Sequence, residues 1–175
     1  MIVYLDTGFF VDYFSRRSMI AVKLRTKSRR GRSIHKIQED SNAVMKKLNS
    51  HKAITSVLTI LEYKENTFSE LKKFSRGLND IKIENLMKNK TEASTLYERC
   101  QRNNIQLISL NSQILKEALT NRGYDELEIN DAIHIQTARA YKAEVVVSTD
   151  SGLLKFDGLF DNIRIVDTDE ALKLL

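Results

Sequence analysis

Short apolar runs alternate along this chain with longer stretches in which apolar residues recur at helical spacing. The short runs have the length and character of buried strands. They predict five strands, Ile2–Leu5, Ala53–Ser56, Ile105–Leu110, Val145–Val147 and Ile163–Val166. Because strands alternate with helices, right-handed crossovers should produce a parallel sheet with helices on both faces. The pattern therefore predicts the α/β class, as a three-layer α/β/α sandwich around a five-stranded parallel sheet.

Capping residues and glycines indicate where the helices begin and end. The predicted starts are at Phe9 after Gly8, at Asp40 or Ser41, after Ser56, at Asn111 or Ser112, and at Glu128. We expect the fourth of these helices to run through about Asn121, with Gly123 ending it, and the fifth to reach Lys142. The charged middle of the chain, residues 68–101, also carries a helical pattern with apolar stripes.

Length and composition are typical of one globular domain, with 175 residues, 42% hydrophobic and 29% charged. No apolar run approaches the roughly 20 residues of a membrane span. The apolar start contains Asp6 and lacks a basic leader, so we interpret it as a strand rather than a signal peptide. The single Cys100 allows no internal disulfide, which fits a reducing compartment. We therefore expect a cytoplasmic protein that makes no membrane contact.

Positive charge is concentrated in one segment, although the formal net charge of the chain is only +5. Residues 13–38 contain no Asp or Glu and hold nine cations: Arg16, Arg17, Lys23, Arg25, Lys27, Arg29, Arg30, Arg32 and Lys36. A localised basic segment on a mildly acidic body favours contact with nucleic-acid phosphates. The segment has no interleaved aromatic residues for base stacking. A solvated loop whose charge only aids solubility is the alternative interpretation.

Four acidic residues, Asp6, Glu62, Asp131 and Asp150, lie where the pattern predicts strand ends or helix starts. In a parallel sheet the carboxyl ends of the strands meet at one edge, and ligands bind there. Converging carboxylates repel one another unless a cation lies between them. Oxygen ligands favour Mg²⁺ or Mn²⁺. The four residues therefore predict a divalent-metal site.

Each acidic residue also has an ordinary interpretation when it is taken alone. Asp6 and Asp150 could cap the helices that follow them, and Glu62 could lie on an exposed helix face. Asp131 interrupts an apolar helix start, where a charge should not be buried without a partner. His134, one turn after Asp131, is expected to be a packed or hydrogen-bonded helix residue rather than a general base.

Four segments carry a family resemblance, in a fixed order and over nearly the whole chain. They are IVYLDTGFFVDYF, AITSVLTILEYKE, EINDAIHIQTARA and VVVSTDSGLLKF. Together they resemble the PIN-domain ribonucleases and, within that family, the VapC-type toxins. The resemblance implies one PIN-like domain over residues 1–175, with the basic segment as an insertion at about 15–38. It also implies that the four acidic residues are catalytic and bind one or two Mg²⁺ or Mn²⁺ ions.

Supporting roles follow from the same resemblance. Ser148 matches the hydroxyl residue that supports the last carboxylate, Asp150, while Thr7 and Thr149 would orient ligands and water. The implied chemistry is metal-assisted hydrolysis of RNA without a covalent nucleophile. The stretch after Asp150 is wider than is usual in the family, so Asp157 is a candidate to replace or assist it.

Partners and alternatives remain expectations at this point. The toxin resemblance implies RNA as substrate, a small antitoxin that blocks the metal site, and a homodimer to which the apolar stretch from Phe9 to Phe14 could contribute. A non-catalytic RNA-binding domain and a structure-specific DNA nuclease stay open. A phosphatase of the haloacid dehalogenase type is disfavoured, because Gly8 stands where that chemistry needs a second Asp.

Overall fold

The computed structural model describes residues 1–14, 32, 34–63 and 92–175 of the chain. Its core is a five-stranded sheet in the order β3-β2-β1-β4-β5, and every strand pair is parallel. The strands are β1 (Ile2–Leu5), β2 (Lys52–Ser56), β3 (Gln106–Ile108), β4 (Val145–Val147) and β5 (Arg164–Val166). This confirms the predicted five-stranded parallel sheet.

Helices cover both faces of the sheet. They are α1 (Thr7–Phe14), α2 (Ile34–Lys47), α3 (described over residues 57–63), α4 (Glu92–Arg102), α5 (Ser112–Thr120), α6 (Ile129–Ala140) and α7 (Thr168–Leu174). Alternation along β1 assigns its side chains to the two layers, because successive side chains point to opposite faces. Val3 and Leu5 pack with α1, α2, α4 and α7, whereas Tyr4 packs with α5 and α6.

The order of the strands creates a switch point beside β1. The chain builds outward through β2 and β3 on one side of β1, and through β4 and β5 on the other. In open α/β sheets, ligands bind at the carboxyl ends of the strands where the order reverses. The strand order therefore predicts a ligand site at the carboxyl ends of β1 and β4.

Several predicted helix boundaries differ from the structure, and α1 begins at Thr7 rather than at Phe9. The helix α2 already begins at Ile34, so Asp40 and Ser41 lie inside it instead of capping it. Both side chains have other partners, since Asp40 pairs with Arg32 and the Ser41 hydroxyl donates to the carbonyl of Ile37 at 2.8 Å. Asp40 and Ser41 are residue types that often cap helices, but here Asp40 forms an ion pair and Ser41 bonds to the backbone of its own helix.

A further difference concerns the C-terminal end of α5. Asn111 caps its start as predicted, with Oδ1 accepting from the Ile114 amide at 2.9 Å. The helix ends at Thr120 with Asn121 as its C-cap, close to the predicted end at about Asn121, and Gly123 lies beyond it in a 3₁₀ turn. The last predicted helix, α6, ends at Ala140, two residues before Lys142.

Several predictions lie wholly or partly outside the described residues. Residues 68–91 of the helical middle and residues 15–31 of the basic insertion fall there, and the described part of that middle is α4. Residues 34–38, which were assigned to the insertion, belong to α2. Among the described residues, no helix combines the length and apolar character needed to cross a bilayer.

Candidate active site

The structure brings the four predicted acidic residues to the switch-point edge of the sheet. Asp6 directly follows β1, and Asp150 lies three residues after the end of β4. Asp131 is in the first turn of α6, and Glu62 lies in α3, which follows β2. Burial, together with the negative charges of Asp150 and Asp6, raises the pKa of Asp131 to about 6. The carboxylates are therefore close enough to influence one another strongly.

Asp6 is the most enclosed of the four carboxylates. Its Oδ1 accepts a hydrogen bond from the Phe9 amide at 3.0 Å, which caps α1, and its Oδ2 accepts one from the Ser148 hydroxyl. Burial raises the pKa of Asp6, although the nearby His134 and these two hydrogen bonds oppose that effect. The cap interpretation of Asp6 is thus correct, and the same residue also faces the acidic cluster.

Ser148 has a different role from the predicted one. Its hydroxyl donates to the carboxylate of Asp6, and its oxygen accepts from the backbone amide of Asp150 at 3.0 Å. The Asp150 carboxylate instead accepts from the Gly152 amide at 2.7 Å. Ser148 therefore holds the first carboxylate of the cluster and the backbone that carries the last one.

Glu62 is held by a hydrogen-bond network that includes a residue the sequence analysis did not assign to the site. Its Oε2 accepts from the Thr7 hydroxyl and, at 2.8 Å, from Nε2 of His134. Burial alone would raise the pKa of Glu62, but the hydrogen bond and charge of His134, with hydrogen bonds from Thr7 and Asn130, bring it below its ordinary value. Glu62 is therefore the member of the cluster that is best stabilised as an anion.

His134 is packed and hydrogen-bonded, as predicted, and it also contacts the acidic cluster, to which the sequence analysis did not assign it. It is only 2% exposed and lies between Glu62 and the hydroxyl of Tyr4, whose oxygen is 2.6 Å from Nδ1. Its spacing, three residues after Asp131, puts both side chains on one face of α6, and this signal was present in the sequence. Tyr4 gave no comparable signal, because an inward aromatic residue in a buried strand is ordinary.

Thr7 and Thr149 both lie at the cluster, in different environments. Thr7 contacts Glu62 directly. Thr149 is buried, and its Oγ1 has no hydrogen-bond partner within the described part of the chain. That hydroxyl lies against Gly8, where an added Cβ would come within 2.6 Å of Oγ1 and 3.2 Å of Asp6 Oδ1. Glycine at position 8 therefore allows the start of α1 to approach Thr149 closely.

The oxygen atoms of the cluster are the ligand type that a hard divalent cation prefers. Their present positions do not form a complete coordination shell. Within residues 1–14, 32, 34–63 and 92–175, no three His, Cys, Asp or Glu side chains already converge on one ion position. Oxygens of Asp6, Glu62 and Asp150 are instead committed to protein donors. All four side chains offer oxygen, and a cation would offset the negative charges of Asp150 and Asp6, which add to burial in raising the pKa of Asp131.

Asp157 does not assist the cluster. Its carboxylate forms a two-pronged pair with Arg164, at 3.0 Å from Nε and 2.9 Å from Nη2, and accepts from the Ile165 amide at 2.7 Å. Arg164 is the first residue of β5, so this pair lies at the amino edge of the parallel sheet, opposite the cluster. The prediction that Asp157 could replace or assist Asp150 is therefore corrected.

The structure describes two of the nine predicted phosphate-binding cations. The other seven lie outside the described residues: Arg16, Arg17, Lys23, Arg25, Lys27, Arg29 and Arg30. Lys36 pairs with Asp40 at 2.9 Å, while 58% of its side chain is exposed. Its position on the surface is compatible with the predicted role.

Arg32 differs from the prediction. Its guanidinium, only 14% exposed, pairs with Asp40 at 3.0 Å, with Asp169 at 3.6 Å and with Asp167. These carboxylates come from α2 and from the start of α7, so Arg32 ties two helices together. Because its charge is compensated inside the protein, we remove Arg32 from the nucleic-acid-binding set.

The apolar stretch from Phe9 to Phe14, which was predicted to contribute to a dimer interface, is largely packed against the core of its own chain. Phe9 and Phe10 are fully buried in the core. Phe14 packs against that core and receives the guanidinium of Arg99 at 4.5 Å from the centre of its ring. The first half of α1 is therefore core rather than an exposed apolar surface.

A doubly wound parallel sheet with carboxylates gathered at its switch point defines a class of α/β proteins built to bind a cation or a charged substrate at that edge. Comparison with protein families makes the assignment specific: the PIN domain matches residues 3–159. The chain belongs to the PIN-domain family, whose members are nucleases that usually depend on divalent metal ions. No curated protein matches the chain in a sequence search.

Proposed function

We propose that this chain is an endoribonuclease that hydrolyses RNA phosphodiester bonds with the help of Mg²⁺ or Mn²⁺. The observation that carries the proposal is the gathering of Asp6, Asp131 and Asp150 at the switch point, where burial, together with the charges of Asp150 and Asp6, raises the pKa of Asp131 to about 6. A nuclease needs such an anionic cluster to hold the cation that offsets phosphate charge. Membership of the PIN-domain family supports the same chemistry.

Asp6, Asp131 and Asp150 would hold the ion, and Glu62 would complete the set. When bound, the ion supplies a Lewis acid that binds a phosphate oxygen and activates water for attack. Ser148 and the start of α1 hold Asp6 in place, and Thr7 holds Glu62. The protein therefore contributes charge and geometry, and no side chain acts as a covalent nucleophile.

RNA is proposed over DNA because the four matching segments resemble the VapC-type toxins as well as the wider family. The cationic segment supports a polyanionic substrate but does not by itself distinguish the two nucleic acids. The same resemblance supports a role as the toxin of a toxin–antitoxin pair, with a small antitoxin that covers the acidic cluster.

The test is cleavage of labelled single-stranded RNA and of DNA of the same sequence, with Mn²⁺, with Mg²⁺ and with chelator. Asp131→Asn removes a cluster charge, whereas Asp161→Asn makes the same change at an exposed position before β5, at the other edge of the sheet. We expect metal-dependent RNA cleavage by the unaltered chain and by Asp161→Asn, and none by Asp131→Asn.

Other outcomes would replace this function by a named alternative. Preferential cutting of DNA would indicate the structure-specific DNA nuclease. RNA binding without cutting under every condition would indicate a non-catalytic RNA-binding domain. The toxin role is tested separately by expression in bacteria: growth arrest by the unaltered chain and not by Asp131→Asn supports it, and unimpaired growth with both chains at equal levels contradicts it.

A further inference from the structure

A buried chain of hydrogen bonds runs from the middle of the sheet to the acidic cluster. The hydroxyl of Tyr4 lies 2.6 Å from Nδ1 of His134, and Nε2 of His134 lies 2.8 Å from Oε2 of Glu62. Tyr4 is fully buried and His134 nearly so. The three residues come from β1, α6 and α3, which join only through the fold.

The direction of these hydrogen bonds follows from the chemistry of the groups. An ionised carboxylate only accepts, so Nε2 of His134 must carry a proton and donate it to Glu62. The neutral ring then accepts from the Tyr4 hydroxyl through Nδ1, and the charged ring donates to it. In both cases the imidazole is held at its two nitrogens, and the orientation of the ring is set by Tyr4.

Two donors fall on the same oxygen of Glu62. The Thr7 hydroxyl and Nε2 of His134 both bond to Oε2, and neither of these two bonds involves Oε1. A glutamate has three rotatable side-chain bonds, so holding one oxygen from two sides removes most of its freedom. This arrangement would present the carboxylate to the cluster in one orientation.

We propose that His134, oriented by Tyr4, is a positioning residue that fixes Glu62 for ion binding by the acidic cluster. This inference rests on the proposed function, because it assigns a role within the same site. A buried histidine that only filled space in this layer would also need polar partners for its ring nitrogens. What points to a positioning role is that the partner of Nε2 is Glu62, a carboxylate of the acidic cluster. The edge-on packing of the two rings, with centroids 5.7 Å apart, is compatible with either role, so the hydrogen bonds carry the distinction.

The test uses variants that keep or remove one donor at a time. In His134→Gln the amide nitrogen corresponds to Nε2 and can still donate to Glu62, whereas in His134→Asn it corresponds to Nδ1 and cannot reach. Tyr4→Phe removes the hydroxyl that orients the ring. Tyr124→Phe is the matched control, because it deletes a buried 2.6 Å hydrogen bond to Gln136, on the same helix but away from the cluster.

The measurement is the affinity for Mn²⁺ by titration calorimetry, with thermal unfolding in chelator to show that each variant is folded. We expect His134→Asn to weaken Mn²⁺ binding by roughly 10- to 100-fold, the effect of losing an outer hydrogen bond to a ligand. We expect His134→Gln to retain most of the affinity, Tyr4→Phe to lose part of it, and Tyr124→Phe to match the unaltered chain.

The possible failures are distinguishable. If a folded His134→Asn variant binds Mn²⁺ as well as the unaltered chain does, the positioning role is wrong while the metal-dependent function stands. If Tyr124→Phe weakens binding as much as Tyr4→Phe, the effect is general destabilisation and the role is also wrong. If the unaltered chain binds no Mn²⁺ and cuts no RNA, the proposed function itself falls and takes this inference with it.

Discussion

The hydroxyl of Ser148 donates to Oδ2 of Asp6, joining the carboxyl ends of β4 and β1 across the switch point of the sheet. The two strands are far apart in the sequence, since Asp6 and Ser148 differ by 142 positions. Asp6 also accepts from the Phe9 amide, so its two oxygens are held by two different elements. The orientation of the most buried carboxylate in the cluster therefore depends on the pairing of β1 with β4.

Replacing Ser148 by alanine should weaken both the fold and the site. The buried Oδ2 of Asp6 would lose its donor, which costs about 1–3 kcal/mol of unfolding free energy, and Mn²⁺ affinity should fall because the carboxylate is less well oriented. Chemical denaturation and calorimetry measure the two effects. Ser41→Ala is the control, because it deletes an equally buried hydroxyl inside α2. Equal Mn²⁺ affinities of the two variants would contradict the role of Ser148.

Replacing Gly8 by alanine should destabilise the chain through Thr149. The new Cβ would lie 2.6 Å from Thr149 Oγ1, and such overpacking typically costs about 1–3 kcal/mol. Thr149→Ala removes the clashing oxygen, so the double variant should be more stable than the sum of the single changes predicts. A double-mutant cycle from urea denaturation measures this coupling. If the changes in unfolding free energy of the two single variants add up to that of the double variant, the new Cβ does not clash with Thr149.

The stability of the chain should depend on pH through Asp131. Its folded pKa of about 6 lies above the ordinary value, so between about pH 4 and 6 the folded state binds more protons than the unfolded state. The unfolding free energy should therefore decrease as pH rises through this window and level off above it. Because Asp131 is partly exposed, we expect a contribution of about 1–2 kcal/mol.

Asp131→Asn should remove this dependence. Compared with the unaltered chain, the variant should therefore be more stable at pH 7 than it is at pH 4. Denaturation in chelator at pH 4, 5, 6 and 7 compares it with the unaltered chain and with Asp161→Asn. If the difference between Asp131→Asn and the unaltered chain does not change between pH 4 and 7, folding does not raise the pKa of Asp131.

Replacing Arg32 by alanine should destabilise the fold without weakening the contact with RNA. The change would leave Asp40 and Asp167 without the cation that they share. Because Arg32 is partly exposed, we expect the free energy of unfolding to fall by up to about 3 kcal/mol. Arg164→Ala breaks an exposed pair with Asp157 and should have a much smaller effect. Thermal unfolding and RNA binding at several salt concentrations compare the two variants. A flatter salt dependence for a folded Arg32→Ala chain would restore Arg32 to the phosphate-binding set.

Neutralising Arg29 and Arg30 should weaken RNA binding and flatten its salt dependence. If each contacts one phosphate, replacing both by Gln should reduce the slope of log affinity against log salt by about 1.4 for single-stranded RNA. The control is the pair Lys52→Gln and Lys142→Gln, which removes the same charge from exposed positions at the amino edge of the sheet. Equal slopes for the two pairs would mean that only overall charge matters.

The pattern of residues along the chain was enough to predict the strands, the parallel sheet and the acidic edge. Each of these depends on information within a few residues: a short apolar run predicts a strand, and an acidic residue directly after it, such as Asp6, must lie at the carboxyl end. Val145–Val147 was predicted with its observed bounds for this reason. The placement of Glu62 and Asp131 beside Asp6 then followed from the rule that parallel strands share one ligand-binding edge.

The pairing of the polar side chains became clear only from the three-dimensional fold. Arg32 resembles its basic neighbours in sequence, yet it pairs with carboxylates from α2 and α7. Asp157 stands close to Asp150 in the chain, but a turn takes it to the opposite edge of the sheet. His134 depends on Tyr4, 130 residues away. Hydrogen bonds and ion pairs act over about 3 Å in space, so a one-dimensional pattern identifies the groups that can form them but not the partner that each one meets.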